Sequence, residues 1–197
     1  MPASRFGTPF VYDMNVDDMT GLDIRIVRAT PDMAGYVDGL RNNLVVKARV
    51  KVSMCGDNYD FDVVSVQLPY KKSEVCCPDR SYLGRDDAAI YLAFVEERLV
   101  GQVCVQEDHN NMARVWGLRV EHGHHYHGIA TSLMNTVKAW ALARGLRWLR
   151  AETQDNHVTA CMFYRDYGFV IGGFDRLYLQ ATPGSEDETA IVWYLEV

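Results

Sequence analysis

The chain has 197 residues, 48% hydrophobic and 23% charged, enough to bury one substantial core and too few for two full domains. A formal net charge of −6 and a pI near 5.5 argue against binding to a phosphate backbone and suit a cationic small partner. No apolar run reaches the ~18 residues that span a bilayer and the N-terminus lacks the basic-then-apolar order of a secretory signal, while five cysteines without a CxxC spacing fit a reducing compartment, so a cytoplasmic location is expected.

Residues 1 to 20 mix Pro, Gly and Asp with little periodicity and are expected to form a tail or loosely docked segment; residues 21 to 197 then make a single domain. Strand-like runs follow in "DIRIV", "DFDVVSVQL", "IYLAFVEERLVGQVCVQ" and "ARVWGLRV". The third breaks at Glu96, Glu97 and Arg98, which marks a hairpin turn. From Gly128 to Ala143 the apolar Ile129, Leu133, Val137 and Trp140 recur at helical spacing, and Gly145 stands where a helix end favours a left-handed residue. "LRWLRAETQ" reads as a strand, Asn156 opens a second helix that Gly168 closes, and "FVIGGFDRLYLQ" and "ETAIVWYLEV" are strands joined by "ATPGSED". Strands, helix, strand, helix and two strands predict an α/β or α+β domain with a mixed sheet.

Four of the six histidines, His122, His124, His125 and His127, lie in the loop between "ARVWGLRV" and the first helix. Three readings are open there. A metal site suits imidazole, although structural zinc normally draws spaced ligands from two segments. Solvated loop residues are the plainest option. In the third, Gly128, Ile129 and Ala130 open a helix whose backbone N–H groups and dipole cradle an anion such as phosphate. In the second helix, Asn156, Ala160 and Tyr164 stand at i, i+4 and i+8 and so share a face. They form either a groove with a hydrogen-bonding group at each end, or a cap, a packing residue and a core aromatic.

Taken together, the strand, phosphate-type loop, helix, strand and "DNHVTACMFYRDYGF" resemble the GNAT superfamily of acetyl-CoA-dependent N-acetyltransferases. Within it, "ETQDNHVTACMFYRDYGFVIGGFDRLYL" followed by "ETAIVWYLE", with "LPYKKS" at residues 68 to 73, is most similar to the streptothricin acetyltransferases. The resemblance implies an α/β (α+β) GNAT fold, a mixed, mostly antiparallel twisted sheet splayed at the acetyl-CoA site and flanked by helices. It assigns acetyl-CoA to Leu118, Arg119 and Val120 at the strand end, to His125, Tyr126, His127, Gly128, Ile129, Ala130 and Thr131 in the loop and first helical turn, and to Asn156, Ala160 and Tyr164 beside the pantetheine arm and thioester. Trp116 and Gly117 would face the acceptor. It implies no metal, nucleic acid or membrane partner, and homodimers are common among such enzymes.

The implied reaction carries two proton problems. An alkyl amine with a pKa of about 10.4 is only about one part in a thousand neutral near pH 7.4, so its attack needs a base. The departing CoA thiolate, chemically like cysteine at about 8.5, gains from a donor, and Tyr164 is the candidate general acid. Two departures from the family pattern stand out. His125 replaces the usual Arg or Gln and Tyr126 the usual Gly, so a titrating imidazole stands in for a permanent donor. Trp116-Gly117 occupies the strand where relatives carry the carboxylates that activate the amine, and acidic residues upstream are reduced to scattered ones such as Asp79, Asp86 and Asp87. Glu152 is the candidate base, with Glu107 and Asp108 as further carboxylates and an ion pair with a neighbouring Arg as the alternative role of Glu152. Streptothricin is the expected acceptor. A polyamine, another antibiotic or a protein amine, and an acyl-CoA-binding module without turnover, are the competing readings.

Overall fold

The computed structural model describes residues 23–37, 39–40, 43–73 and 80–197; the segment expected to be a tail lies outside them. Seven strands form one sheet in the order β1-β4-β5-β6-β7-β9-β8: β1 (Ile24–Arg28), β4 (Ala88–Val95), β5 (Arg98–Asp108), β6 (Met112–Val120), β7 (Trp148–Gln154), β8 (Val170–Asp175) and β9 (Ala190–Glu196). Only β6 and β7 run parallel; every other pairing is antiparallel. The parallel pair is the one joined by a helical crossover, α2 (Ile129–Leu142), as parallel strands require. A short helical turn, α1 (Ala34–Val37), and α3 (Val158–Tyr167) complete the helices among the described residues.

Alternation along β4 explains the sheet's two covered faces. Ala89 and Ala93 join the larger core with Ile129, Leu133, Val137 and Trp140 of α2, all buried as their spacing predicts. Ile90, Leu92 and Phe94 point the other way, onto Ala29, Val37 and Cys104. A strand buried on both faces reads as a near-continuous apolar run, which is what "AAIYLAFV" is.

A second sheet is not among the expected elements. β2 (Asn43–Cys55) and β3 (Asn58–Ser73) pair antiparallel into a long hairpin turned by Gly56 and Asp57. A lone two-stranded ribbon is marginally stable, and this one leans on the rest of the domain through Val50 and Phe61, both in the larger core. Three expected boundaries also move. Arg98 belongs to β5, leaving Glu96 (φ 53°) and Glu97 as the turn. The second helix begins at Val158, after His157, because the Asn156 side chain bonds elsewhere. β8 stops at Asp175, whose Oδ1 accepts the N–H groups of Leu177 and Tyr178 at 2.8 and 3.0 Å, an Asx-type turn that ends the strand.

Candidate active site

β6 and β7 are hydrogen-bonded neighbours only at Ala113 with Leu149 and Arg114 with Arg150. Beyond that point they diverge, while the outer edge of each stays paired, β6 with β5 as far as Val120 and β7 with β9 along its length. The inner edges therefore face an opening across which β6 and β7 make no ladder hydrogen bonds to each other. Gly117 (φ 56°) lies at an irregularity in β6, where Gln102 pairs Arg119 but Cys104 already pairs Trp116. Left-handed backbone in a bulge suits glycine and turns the strand. Leu118 and Val120 are partly buried against the core; Arg119 is buried and donates to the Leu40 carbonyl at 3.3 Å.

At the wide end of the opening the chain passes through a turn of 3-10 helix, His122–His124, and reaches Gly128 (φ 72°), which starts α2. No side chain caps α2 and no acidic residue sits in its first turn, so the N–H groups of Ile129, Ala130 and Thr131 keep the unsatisfied, dipole-favoured character of a helix start. The histidines do not converge: His124 Nδ1 lies 3.0 Å from Glu121, and His125 Nε2 lies 2.9 Å from the Val120 carbonyl. Since a carbonyl only accepts, Nε2 carries a proton and donates it to Val120. Among the described residues no three His, Cys, Asp or Glu gather as metal ligands. His127 is half-buried; Tyr126 (φ 66°) is 93% exposed.

Tyr164 lies in α3 with its ring 5.0 Å from Phe169 and stacked on Trp193 at 6.1 Å. Burial, with a smaller push from Cys161, raises its phenol well above the ordinary value. The Cys161 thiol, buried beside Thr153, is pushed up to about 11. Ala160 is partly buried against the same core. Asn156 is not on this helical face: it precedes the helix, and its Nδ2 donates to Glu188 Oε1 at 2.9 Å and to the Tyr70 hydroxyl at 3.2 Å.

The carboxylates singled out from sequence are engaged by arginines. Glu152 lies 3.5 Å from Arg150 and 3.8 Å from Arg114, whose guanidinium also sits 3.7 Å over the Trp116 ring. Glu107 pairs with Arg144 at 3.1 Å and Asp87 with Arg85, whereas Asp108 lies beside His109. The Asp86 carbonyl accepts from Arg144, and Asp79 lies outside the described residues.

A polar cluster that sequence reasoning did not assemble joins the hairpin to the end of β7. Glu188, 4% exposed, accepts from Asn156 and from Lys72 of β3. Arg49 of β2 reaches the Tyr70 hydroxyl at 3.2 Å, the Asp187 carbonyl at 2.7 Å and Asp155 at 3.5 Å. Burial pushes the Asp155 carboxyl up, against the opposing pull of the Thr189 N–H and of Arg49. The signal was present in "LPYKKS", which supplies Tyr70 and Lys72, and in the Glu188 that opens "ETAIVWYLE".

Residues 61–169 match the acetyltransferase (GNAT) family. The chain is 32% identical over 168 residues to a streptothricin acetyltransferase of Escherichia coli, spanning 85% of this chain and 94% of that protein. It is 29% identical over 125 residues to streptothricin acetyltransferase A of Bacillus subtilis (strain 168), spanning 64% of this chain and 72% of that protein. In structure it is similar to a Bacillus anthracis str. Ames protein, assigned as a streptothricin acetyltransferase and solved in complex with acetyl coenzyme A, with a TM-score of 0.81 and 28% identity over 88% of this chain and 99% of the other. A nourseothricin acetyltransferase shares the fold, with a TM-score of 0.73 and 24% identity over 88% of this chain and 98% of the other. With its splayed parallel pair and open helix start matched over these lengths, the chain belongs to the acetyltransferase (GNAT) family.

Proposed function

We propose that the chain transfers the acetyl group of acetyl-CoA to a primary amine of streptothricin, that of its β-lysine arm, and so confers resistance to it. The observation that carries this reading is the similarity to the Escherichia coli streptothricin acetyltransferase, which extends over 85% of the chain and 94% of that enzyme. Local chemistry supports it. The uncapped start of α2, with no acidic residue in its first turn, suits a pyrophosphate. Beyond Arg114, β6 makes no ladder pairing with β7, so its backbone N–H groups can serve an extended amide chain and a thioester carbonyl, where fixed donors stabilise developing negative charge. Tyr164 supplies a phenol that burial keeps protonated, suited to donate toward the departing sulfur. The pairing of copies into homodimers and a cytoplasmic location belong to the same proposal.

Release of free thiol from acetyl-CoA, followed with streptothricin and with a panel of polyamines and other amine antibiotics, tests the reading. Turnover with streptothricin at low micromolar to millimolar KM is the expected result. Turnover confined to another amine assigns a different acceptor, an option favoured by Trp116, whose ring faces a guanidinium at 3.7 Å. Tight acetyl-CoA binding with no turnover of any amine overturns the enzymatic reading.

A further inference from the structure

Two hydrogen-bonded neighbours, Glu188 and Asn156, each keep one buried acceptor without a partner. Glu188 spends Oε1 on Asn156 and Lys72, while its Oε2 is buried with no hydrogen bond. Asn156, 2% exposed, spends both donations of Nδ2 on Glu188 and Tyr70, while its Oδ1 is buried and equally unpartnered. A buried carboxylate oxygen and a buried amide oxygen left unmatched are costly, and native proteins rarely retain such pairs without a ligand or water to supply the donors. Both residues offer acceptors alone at these atoms, which excludes an anion and selects a group rich in N–H. Glu188 also lines an open cleft of about 570 Å³, between the hairpin and the loop of residues 176–189, whose other charged walls are Asp155, Glu186, Asp187, Arg49 and Arg176. Four carboxylates against two guanidinium groups and the Lys72 ammonium on Glu188 leave a negative excess of one, which favours a cation there.

We propose that Glu188 Oε2 and Asn156 Oδ1 form the subsite that binds a primary ammonium of the acceptor, replacing the carboxylate lacking at Trp116-Gly117. This rests on the amine-acetylating reading above and names the residues that recognise the amine. An ammonium carries three donors, enough in number for both orphan oxygens with a third proton left for solvent or the cleft wall. Lys72, on the other oxygen of Glu188, has a second role in this arrangement. Its positive charge next to the incoming amine disfavours the protonated amine, so that one ammonium proton passes to Glu188 Oε2, the lone pair thus freed forms the new bond to the acetyl carbon while the carbon–sulfur bond breaks to thiolate, and the second nitrogen proton leaves to solvent.

Steady-state kinetics of wild type and Glu188→Gln with acetyl-CoA and streptothricin provide the test. Glu188→Gln should raise the KM of the amine about tenfold or more, as loss of a charged hydrogen bond does, with the KM of acetyl-CoA within twofold. The double variant Lys72→Met/Glu188→Leu removes both charges and replaces a buried ion pair by apolar groups, which commonly preserves folding; it should fold and still show the raised amine KM. Wild-type amine KM in either folded variant overturns the proposal and leaves the cluster as a brace for the hairpin. If wild type does not acetylate streptothricin, the functional reading fails separately, and the subsite is read by the thermal shift with 1,5-diaminopentane against 1-pentanol. Stabilisation of wild type by the diamine alone, lost in Glu188→Gln, supports the subsite; equal response of both proteins overturns it.

Discussion

Replacing Tyr164 by Phe separates proton donation from packing. The ring is held by Phe169 and Trp193, contacts that phenylalanine keeps. The thermal midpoint should therefore move by no more than about 2 °C, which corresponds to about 0.5–1 kcal/mol in a domain of this length. The chemistry should not survive as well. Passing a proton from a phenol near its ordinary value of about 10 to a thiolate near 8.5 is uphill by about 2 kcal/mol, and burial of Tyr164 makes it steeper. Tyr164 is thus expected to keep its proton and stabilise the leaving sulfur by a hydrogen bond, worth about 1.5–3 kcal/mol to a charged acceptor, or roughly tenfold to a hundredfold in rate. Because the phenol value is raised, the protonated form persists through the usual assay range, and wild-type kcat should show no falling basic limb due to this group. Single-turnover rates at saturating acetyl-CoA, across pH, check both points. Equal rates in the two proteins, or a basic limb in wild type that disappears in Tyr164→Phe, refute the reasoning.

Other perturbations act on the acetyl-CoA side and on the sheet. A Cβ at Gly101 would lie 2.8 Å from Ile129 Cγ2 and 3.1 Å from Leu133 Cδ1, so Gly101→Ala should push the first turns of α2 off β5, cost about 1–3 kcal/mol of stability in denaturant titration and raise the KM of acetyl-CoA; an unchanged midpoint contradicts this. His125→Arg trades the contact to Val120 for a permanent charge at the loop, and should tighten acetyl-CoA binding by roughly two- to fivefold at low salt, with the gain fading near 1 M salt. Calorimetric titration at the two ionic strengths decides it, and a salt-independent gain argues against an electrostatic cause. Glu152→Gln should lower kcat less than tenfold, because its carboxylate is already engaged by Arg114 and Arg150; a loss of about a hundredfold or more, typical of a general base, would restore it to that role.

Elements whose partners are near in sequence were legible. The 3.6-residue recurrence of Ile129, Leu133, Val137 and Trp140 predicts α2, and all four are buried. The turn at Glu96 and the closing Gly168 (φ 108°) follow from local backbone chemistry. The β2–β3 hairpin was half visible. "DFDVVSVQL" reads as a strand, and "CGDN" is a two-residue turn signal of the kind that joins strands, yet its partner "NLVVKARVKVSMC" went unassigned. Its alternation of Val46 and Val50, buried, with Lys47 and Lys51, exposed, is the expected mark of a half-covered strand. Asn156 misled for a different reason. Its type favours a helix cap, but Glu188, 32 residues later, and Tyr70, 86 residues earlier, take its amide, and no local pattern encodes either contact.

The acceptor side illustrates the same limit more sharply. Sequence reasoning sought a carboxylate on β6 and found Trp116-Gly117. In the fold, that stretch is occupied otherwise: Gly117 sits in the bulge and Trp116 carries on its face the Arg114 guanidinium, which also lies 3.8 Å from Glu152. On the proposed reading, the counter-charge for a cationic acceptor comes from elsewhere. The hairpin brings Arg49, Tyr70 and Lys72 onto the ends of β7 and β9, and Glu188 is held there with one oxygen engaged and one unpartnered. Had Glu188 only to brace the hairpin, Lys72 and Asn156 could have engaged both of its oxygens. The unmatched pair of acceptors is thus a feature that bracing does not require and that recognition of an amine does.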